Sequence, residues 1–225
     1  PDVSYFFIIR FANARNFDLQ ETKIMLREYV TYFRGLQKEG LESWGPGDAD
    51  FDQFMEHIQC GVHFTSKNGF PLLVYRVGDS KFKELLKTHS PERLVAYHSQ
   101  LAFRCMNIVM PIASGLAKRR IEKMYVIFDM SNADVLSYLG GKLKEYIKML
   151  SIAGQLYFPN VLQKLYIINA PMLFSVFWAV AKLLLHPTTQ ERIVITSGGN
   201  KEKLIEEFGV DHLPVSLGGK SSLSI

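Results

Sequence analysis

Thr196-Ser197-Gly198-Gly199-Asn200 follows a strand-like run and precedes a helix-like one. Backbone N–H groups at such a helix start can cradle a phosphate. The segment lacks the GxGxxG fingerprint and any Walker lysine, so a plain turn is the better account. Asp129 ends another strand-like run, where a phosphoryl-transfer nucleophile can sit. The next acid, Asp134, is five residues on and nothing nearby supplies a metal site, so Asp129 reads as the cap of a following helix. The six histidines, His57, His63, His89, His98, His186 and His212, show no HxxxH or HxH spacing, so nothing calls for zinc or haem. No Gly-x-Ser-x-Gly elbow is present. A nucleotide-dependent enzyme would rest on Gly198-Gly199 alone, and the expectation is a protein that is not an enzyme.

Periodicity outlines the elements that would position these residues. Asp2 or Ser4 can cap a first helix through Ala14, and Asp18 a second with a buried face of Ile24, Leu26, Tyr29, Val30 and Phe33. Residues 40–47 read as a loop and 50–59 as a short helix. From Gly69 the pattern changes. A strand over 72–77 is followed by helices from about Lys81 and over 91–120. Strands at 124–129, 165–169 and 192–196 then alternate with helices at 133–152, 171–185 and from Lys201. Such alternation predicts an α/β fold with a mostly parallel sheet. Tyr125 to Phe128 and Tyr166 to Ile168 are apolar without alternation, so both sheet faces are covered.

The helix over 133–152 is ordinarily amphipathic, with Lys142, Lys144, Glu145 and Lys148 opposite Leu136, Leu143, Ile147 and Leu150. The helix over 171–185 is apolar almost all round, broken only by Ser175 and Lys182. One face can lie on the sheet; the other must be covered by protein, lipid or membrane.

With 225 residues, 48% hydrophobic and 21% charged, the chain can bury one large core. The formal charge of +4 is mild and suits a visitor to anionic membrane surfaces. No Lys/Arg block argues for nucleic acid, and Lys118-Arg119-Arg120 reads as a helix C-terminus facing its dipole. Cys60 and Cys105 lack metal or redox spacing, lie in helical-looking segments and read as buried thiols of a reducing compartment. There is no signal-peptide pattern, and the longest greasy run, Ala170 to Leu185, is too short to span a bilayer. A soluble, cytoplasmic protein is expected, with upstream helices trimmed or absent.

Three pieces, in order, resemble the CRAL-TRIO family of lipid-transfer proteins: Ile167-Ile168-Asn169-Ala170-Pro171 before the apolar helix, Pro187-Thr188-Thr189 after it, and the closing Leu213-Pro214-Val215-Ser216-Leu217-Gly218-Gly219. Arg10-Phe11-Ala12-Asn13-Ala14-Arg15-Asn16-Phe17-Asp18 and Asn68-Gly69-Phe70-Pro71 extend the likeness over most of the chain, thinnest between Trp44 and Thr65. The resemblance implies a CRAL-TRIO lipid-binding domain over 61–225, with a gate helix over its cavity, after a helical N-terminal portion over 1–60. It implies no cofactor beyond a bound lipid.

The family's headgroup contacts carry over to Arg15, Thr189 and Arg192, the last standing where the pattern has Lys. Guanidinium suits phosphate because its fork donates two parallel hydrogen bonds. The departures are Asn16 for a Lys, Asn160 for a Glu used in inositol recognition, and His186 for the Asp before Pro187. Asn160 is kept in the headgroup set because its amide can still bond a sugar hydroxyl. Met124 and Val126 stand where phosphocholine-binding members have hydroxyls, which disfavours phosphatidylcholine in that pose. The gate would face the membrane through Phe174, Phe177, Trp178, Val180 and Leu184. The expected function is binding one lipid, foremost phosphatidylinositol, and transferring or presenting it at membranes by transient peripheral docking. A carrier of a sterol, tocopherol-like or retinoid-like ligand acting through a protein partner stays open.

Overall fold

The computed structural model describes residues 5–41 and 43–222, with Phe64 described by its backbone alone. Its one five-stranded sheet keeps chain order: β1 Cys60–Thr65, β2 Pro71–Arg76, β3 Met124–Asp129, β4 Leu162–Ile168 and β5 Ile193–Ile195. β1 pairs antiparallel with β2, and the other three neighbours pair parallel. The sequence reading missed β1 and placed Cys60 in a helix. Six residues at a sheet edge, Cys-Gly-Val-His-Phe-Thr, are too few to display a period.

The helices are α1 Tyr5–Ala14, α2 Leu19–Lys38, α3 Ala49–His57, α4 Phe82–Thr88, α5 Pro91–Arg104, α6 Met110–Ala117, α7 Gly141–Tyr157, α8 Phe174–Ala181, α9 Pro187–Gln190 and α10 Lys201–Phe208. Asp18 caps α2 as expected, its Oδ1 accepting the Glu21 N–H at 2.9 Å; Asp2 and Ser4 lie outside the described residues. The buried stripe of α2 is Thr22, Met25, Tyr29 and Leu36, whereas Ile24 and Val30 are exposed. The helical period selects 22, 25, 29 and 36 over the more apolar Ile and Val. α5 and α6 join through a π turn, Cys105–Val109, in which the Met110 N–H reaches back to the Cys105 carbonyl. Pro111 has no N–H for an ordinary turn there, so the break falls just before it. The helix expected over 133–152 is instead a 3-10 segment, Val135–Leu139, followed by α7. Gly140 is extended and Gly141 has φ 59°, which divides the two.

Two clusters pack against opposite sides of the sheet. The inner one joins Ile167 and Phe174 to Tyr97 of α5 and Tyr146 of α7, and also holds Leu36, Trp44 and Phe54. The N-terminal helices thus share a core with the sheet. Trp44 stacks flat on Tyr97 with centroids 4.6 Å apart. The outer cluster sets Leu72, Val74, Tyr125, Ile127, Tyr166 and Ile168 against Leu204 and Phe208 of α10 and against Leu213 and Leu217.

Glu207 fastens α10 to that outer face. Its carboxylate accepts from the Tyr125 hydroxyl and from the Tyr166 hydroxyl at 3.0 Å, with Lys164 Nζ at 3.6 Å. Burial opposes its charge, but both hydroxyls and Lys164 outweigh it, and the pKa lies below the ordinary value. Stability from a lowered carboxylate pKa is present above the unfolded value and lost as pH falls through the folded one. Glu207→Gln should therefore cost about 1–3 kcal/mol in urea unfolding at neutral pH. The gap from wild type should close below about pH 4; a gap independent of pH would contradict this role.

Candidate functional site

A pocket of about 280 Å³ opens between α1 and the entering ends of β3 and β5. α1 contributes Phe6, Ile9, Arg10 and Asn13, which fall on one helical face. Glu122 and Lys123 precede β3, Asn160 lies in the α7–β4 turn, and Arg192 precedes β5.

The pocket is cationic. The Arg10 side chain is only 10% exposed; it donates to Met106 Sδ at 3.3 Å and lies 3.8 Å from Glu122. Burial lowers its pKa while Glu122 acts against that, and a guanidinium stays charged regardless. Arg120 binds the same Glu122 at 2.7 Å. Burial lowers the Lys123 pKa, and the nearby Arg192 lowers it further. The lining thus carries three cations, Arg10, Lys123 and Arg192, against one carboxylate, Glu122, an arrangement that favours an added anion.

Of the four headgroup residues read from sequence, the fold brings Asn160 and Arg192 together here. Asn160 has φ 58° and donates from Nδ2 to the Arg10 carbonyl at 3.1 Å. Arg192 Nη1 donates to the Leu162 carbonyl. Arg15 and Thr189 are not among the lining residues. Arg15, at the end of α1, donates to the Ala14 carbonyl at 3.2 Å, and the Thr189 carbonyl accepts the Arg192 N–H at 3.1 Å. His186 caps α9 in place of an acid, its Nδ1 accepting the Thr188 N–H at 3.4 Å. Sequence reasoning missed Arg10, Glu122 and Lys123. The available signal was the Phe6–Arg10–Asn13 face, which mixes an aromatic, a cation and an amide on a helix otherwise apolar.

The two sides of the sheet are filled unequally. Outer-face Leu72, Val74, Ile127 and Tyr166 are fully buried. Inner-face Leu73, Tyr75, Val126, Phe128 and Leu165 alternate with them and are half-buried, whereas Ile167 on the same side is buried. Tyr75 lies deep enough that burial pushes its hydroxyl pKa well above the ordinary value. Beside it, the Tyr146 hydroxyl and His98 Nδ1 are 2.8 Å apart, and burial holds the His98 pKa at about 4, so that ring is neutral.

α8 covers part of this inner face. It is shorter than the helix expected over 171–185, with a 3-10 turn, Lys182–Leu184, completing it. Phe174 is buried, and Phe177 and Trp178 are half-buried against the inner core. The outward residues are Met172 (93% exposed), Leu173, Val176, Val180 and Leu183 (78%). Among the five membrane-facing residues read from sequence, only Val180 is on the exposed side. Ser175 alone is polar in α8, too little of a stripe to mark which face turns inward. Neutral hydrogen bonds hold its C-terminal end. Gln155 of α7 donates to the Leu184 carbonyl at 2.6 Å and accepts the His186 N–H at 2.8 Å; Gln190 donates to the carbonyls of Lys182 and Leu185.

The carbonyls of Thr196 and Gly198 accept the N–H groups of Ala170 and Asn169, so this loop serves the end of β4. Asp129 Oδ1 accepts from Ser131 and from Asn169 Nδ2 at 2.8 Å, tying two strand ends together rather than capping a helix. Among the described residues, no group of three or more His, Cys, Asp or Glu is placed to hold a metal ion, and no helix is long and apolar enough to cross a membrane.

The CRAL/TRIO domain profile matches residues 55–219. The phosphatidylinositol/phosphatidylcholine transfer protein SFH12 of Arabidopsis thaliana is 28% identical over 218 residues, covering 96% of this chain and 39% of that protein. The SEC14 cytosolic factor of Kluyveromyces lactis is 26% identical over 233 residues, covering 96% of this chain and 71% of that protein. The chain thus spans about two fifths of the plant relative. The crystal structure of Sfh5 has the same fold, with a TM-score of 0.66 over 87% of this chain and 65% of that one, at 16% identity. The profile match over most of the described residues, relatives aligned along nearly the whole sequence and the shared fold agree: this chain belongs to the CRAL/TRIO domain family.

Proposed function

We propose that this chain holds one lipid and exchanges it between membranes. Its acyl chains would lie between the inner sheet face and helices α5, α7 and α8, and its headgroup at the Arg10–Lys123–Arg192 pocket. The observation that carries this reading is the inner face. Its apolar side chains Leu73, Tyr75, Val126, Phe128 and Leu165 are only half-buried where their outer-face neighbours are fully buried, and incompletely filled apolar space favours a hydrophobic guest. The names of the relatives, phosphatidylinositol/phosphatidylcholine transfer proteins, support the same class of ligand.

Acyl chains lose little on leaving a bilayer for an apolar cavity, although each CH₂ would lose about 0.8 kcal/mol on entering water. The headgroup therefore decides which lipid is held. A pocket of three cations around one carboxylate fits an anionic lipid, and phosphatidylinositol is the assignment. Met124 and Val126 offer phosphocholine no hydroxyl. Arg192 and Asn160 contact the headgroup, while Arg15 and Thr189, near the lining residues Asn13 and Arg192, form the rim. The protein acts in the cytoplasm and docks transiently through the outer side of α8. Opening that gate turns Phe177 and Trp178 toward the bilayer.

Mass spectrometry of lipids co-purifying with the protein, followed by vesicle-to-vesicle exchange, tests the reading. Phosphatidylinositol at near one per chain, and its exchange, is expected. A phosphorus-free ligand would keep the cavity and overturn the headgroup site; no lipid and no exchange would overturn the whole reading. Arg192→Ala should lower phosphatidylinositol exchange roughly ten- to a hundredfold, the loss of one charge-assisted contact, with thermal stability little changed. Gln155→Ala frees the C-terminal end of the gate. Amides at 182–186 should then exchange hydrogen about tenfold faster, and unchanged exchange would mean that Gln155 does not restrain the gate.

A further inference from the structure

The outer side of α6 is apolar and uncovered. Ile108, Ile112 and Leu116 recur every four residues and are 50%, 60% and 76% exposed. The opposite side is committed to the fold, with Cys105, Met110 and Ala113 buried and Met110 packed with Met124. α6 itself, Met-Pro-Ile-Ala-Ser-Gly-Leu-Ala, carries no charge. From Arg93 to Ile121 the sequence has no Asp or Glu, and Lys118 and Arg119 close the stripe, while Arg120 beside them pairs with Glu122. Lys118 has φ 49°, which ends α6. Arg119 lies over the Phe70 ring at 5.2 Å, and Arg120 lies over the Phe6 ring at 3.9 Å.

We propose that α6 is a membrane-docking element, distinct from α8, that lies on anionic bilayers. A short apolar stripe ending in cations, with no acid on the helix, is the pattern of an interfacial helix. Each Lys or Arg near an anionic surface adds about 1 kcal/mol of attraction. A protein partner is the poorer fit, because three side chains fall far short of the roughly 1,200 Å² that a stable complex buries. Phe6, under Arg120, also lines the cationic pocket, so docking through α6 brings that pocket to the phosphate layer. The inference rests on the lipid-exchange reading for its purpose alone; vesicle binding is measured without it.

The test is co-flotation of the protein with phosphatidylcholine vesicles, with and without phosphatidylserine. Wild type should bind the anionic vesicles more tightly. The double variant Ile112→Ser with Leu116→Ser, at exposed positions, should bind them about tenfold more weakly. Lys118→Asn, which suits left-handed backbone, should weaken binding about fivefold on anionic vesicles only. Equal binding by wild type and the double variant would overturn the proposal, as would indifference of wild type to both vesicles. A dimer dissolved by the double variant with vesicle binding unchanged would assign the stripe to a second copy and overturn it too. Loss of vesicle binding in the double variant, with no lipid exchange by either protein, would uphold this inference and sink the exchange reading. Exchange by wild type with equal vesicle binding by both would do the reverse.

Discussion

The sheet must be held from one side. Under the lipid-exchange proposal the space above the inner face is not filled with side chains, and every unfilled volume in a core carries a cost, about 24 cal/mol per Å³ where it has been measured. The outer face therefore has to supply tight packing for the central strands. There Leu72, Val74, Ile127 and Tyr166 are fully buried beneath Leu204 and Phe208. Glu207 adds hydrogen bonds to tyrosines of two adjacent strands. The closing Leu-Pro-x-x-x-Gly-Gly segment belongs to the same fastening. Gly218 has φ 89°, and a Cβ on Gly219 would collide with the Leu213 carbonyl, so only glycines let the chain fold back to bury Leu213 and Leu217.

The same division explains where charge is tolerated. A half-exposed edge between α1 and the entering ends of the strands can hold several cations, because one carboxylate, Glu122, serves both Arg10 and Arg120. The deep polar groups are arranged differently. Tyr146 and His98 satisfy each other, and the imidazole is neutral. Charge thus sits at the edge of the sheet, and this deep polar pair is neutral and mutually satisfied.

Legibility in the sequence followed pattern strength. β3, β4 and α5 were readable because apolar runs and a Ser-Pro helix start are strong local signals. β1 was not, because a short edge strand has no period of its own. The break at Gly140-Gly141 was crossed because the apolar pattern continues on both sides of it. For the site, Arg192 and Asn160 were reachable through family motifs, whereas Lys123 joins them only because β3 and β5 begin at the same edge of the sheet. The apolar character of α8 was plain, but which residues it buries was not, since Phe177 and Val180 look alike and Ser175 alone does not orient them.

Asparagine links these failures and successes. Of the seven non-glycine residues with positive φ among the described residues, five are Asn: Asn16, Asn132, Asn160, Asn169 and Asn200. Asn tolerates left-handed backbone better than other L residues because its short amide bonds locally. Asn169 ends β4 in this way and ties it to Asp129 before the chain enters α8. Asn16 and Asn160 are also two of the three positions read from sequence as departures from the family's headgroup pattern. Each supplies a turn the backbone takes at φ 51° or 58°. Asn160 further holds the Arg10 carbonyl, and so sets where α1 stands against the pocket. A charged residue placed at either position would disturb the turn as well as any headgroup contact. Under the headgroup proposal, ligand preference and loop geometry are therefore one constraint at these two sites, because the backbone and the side-chain charge change together.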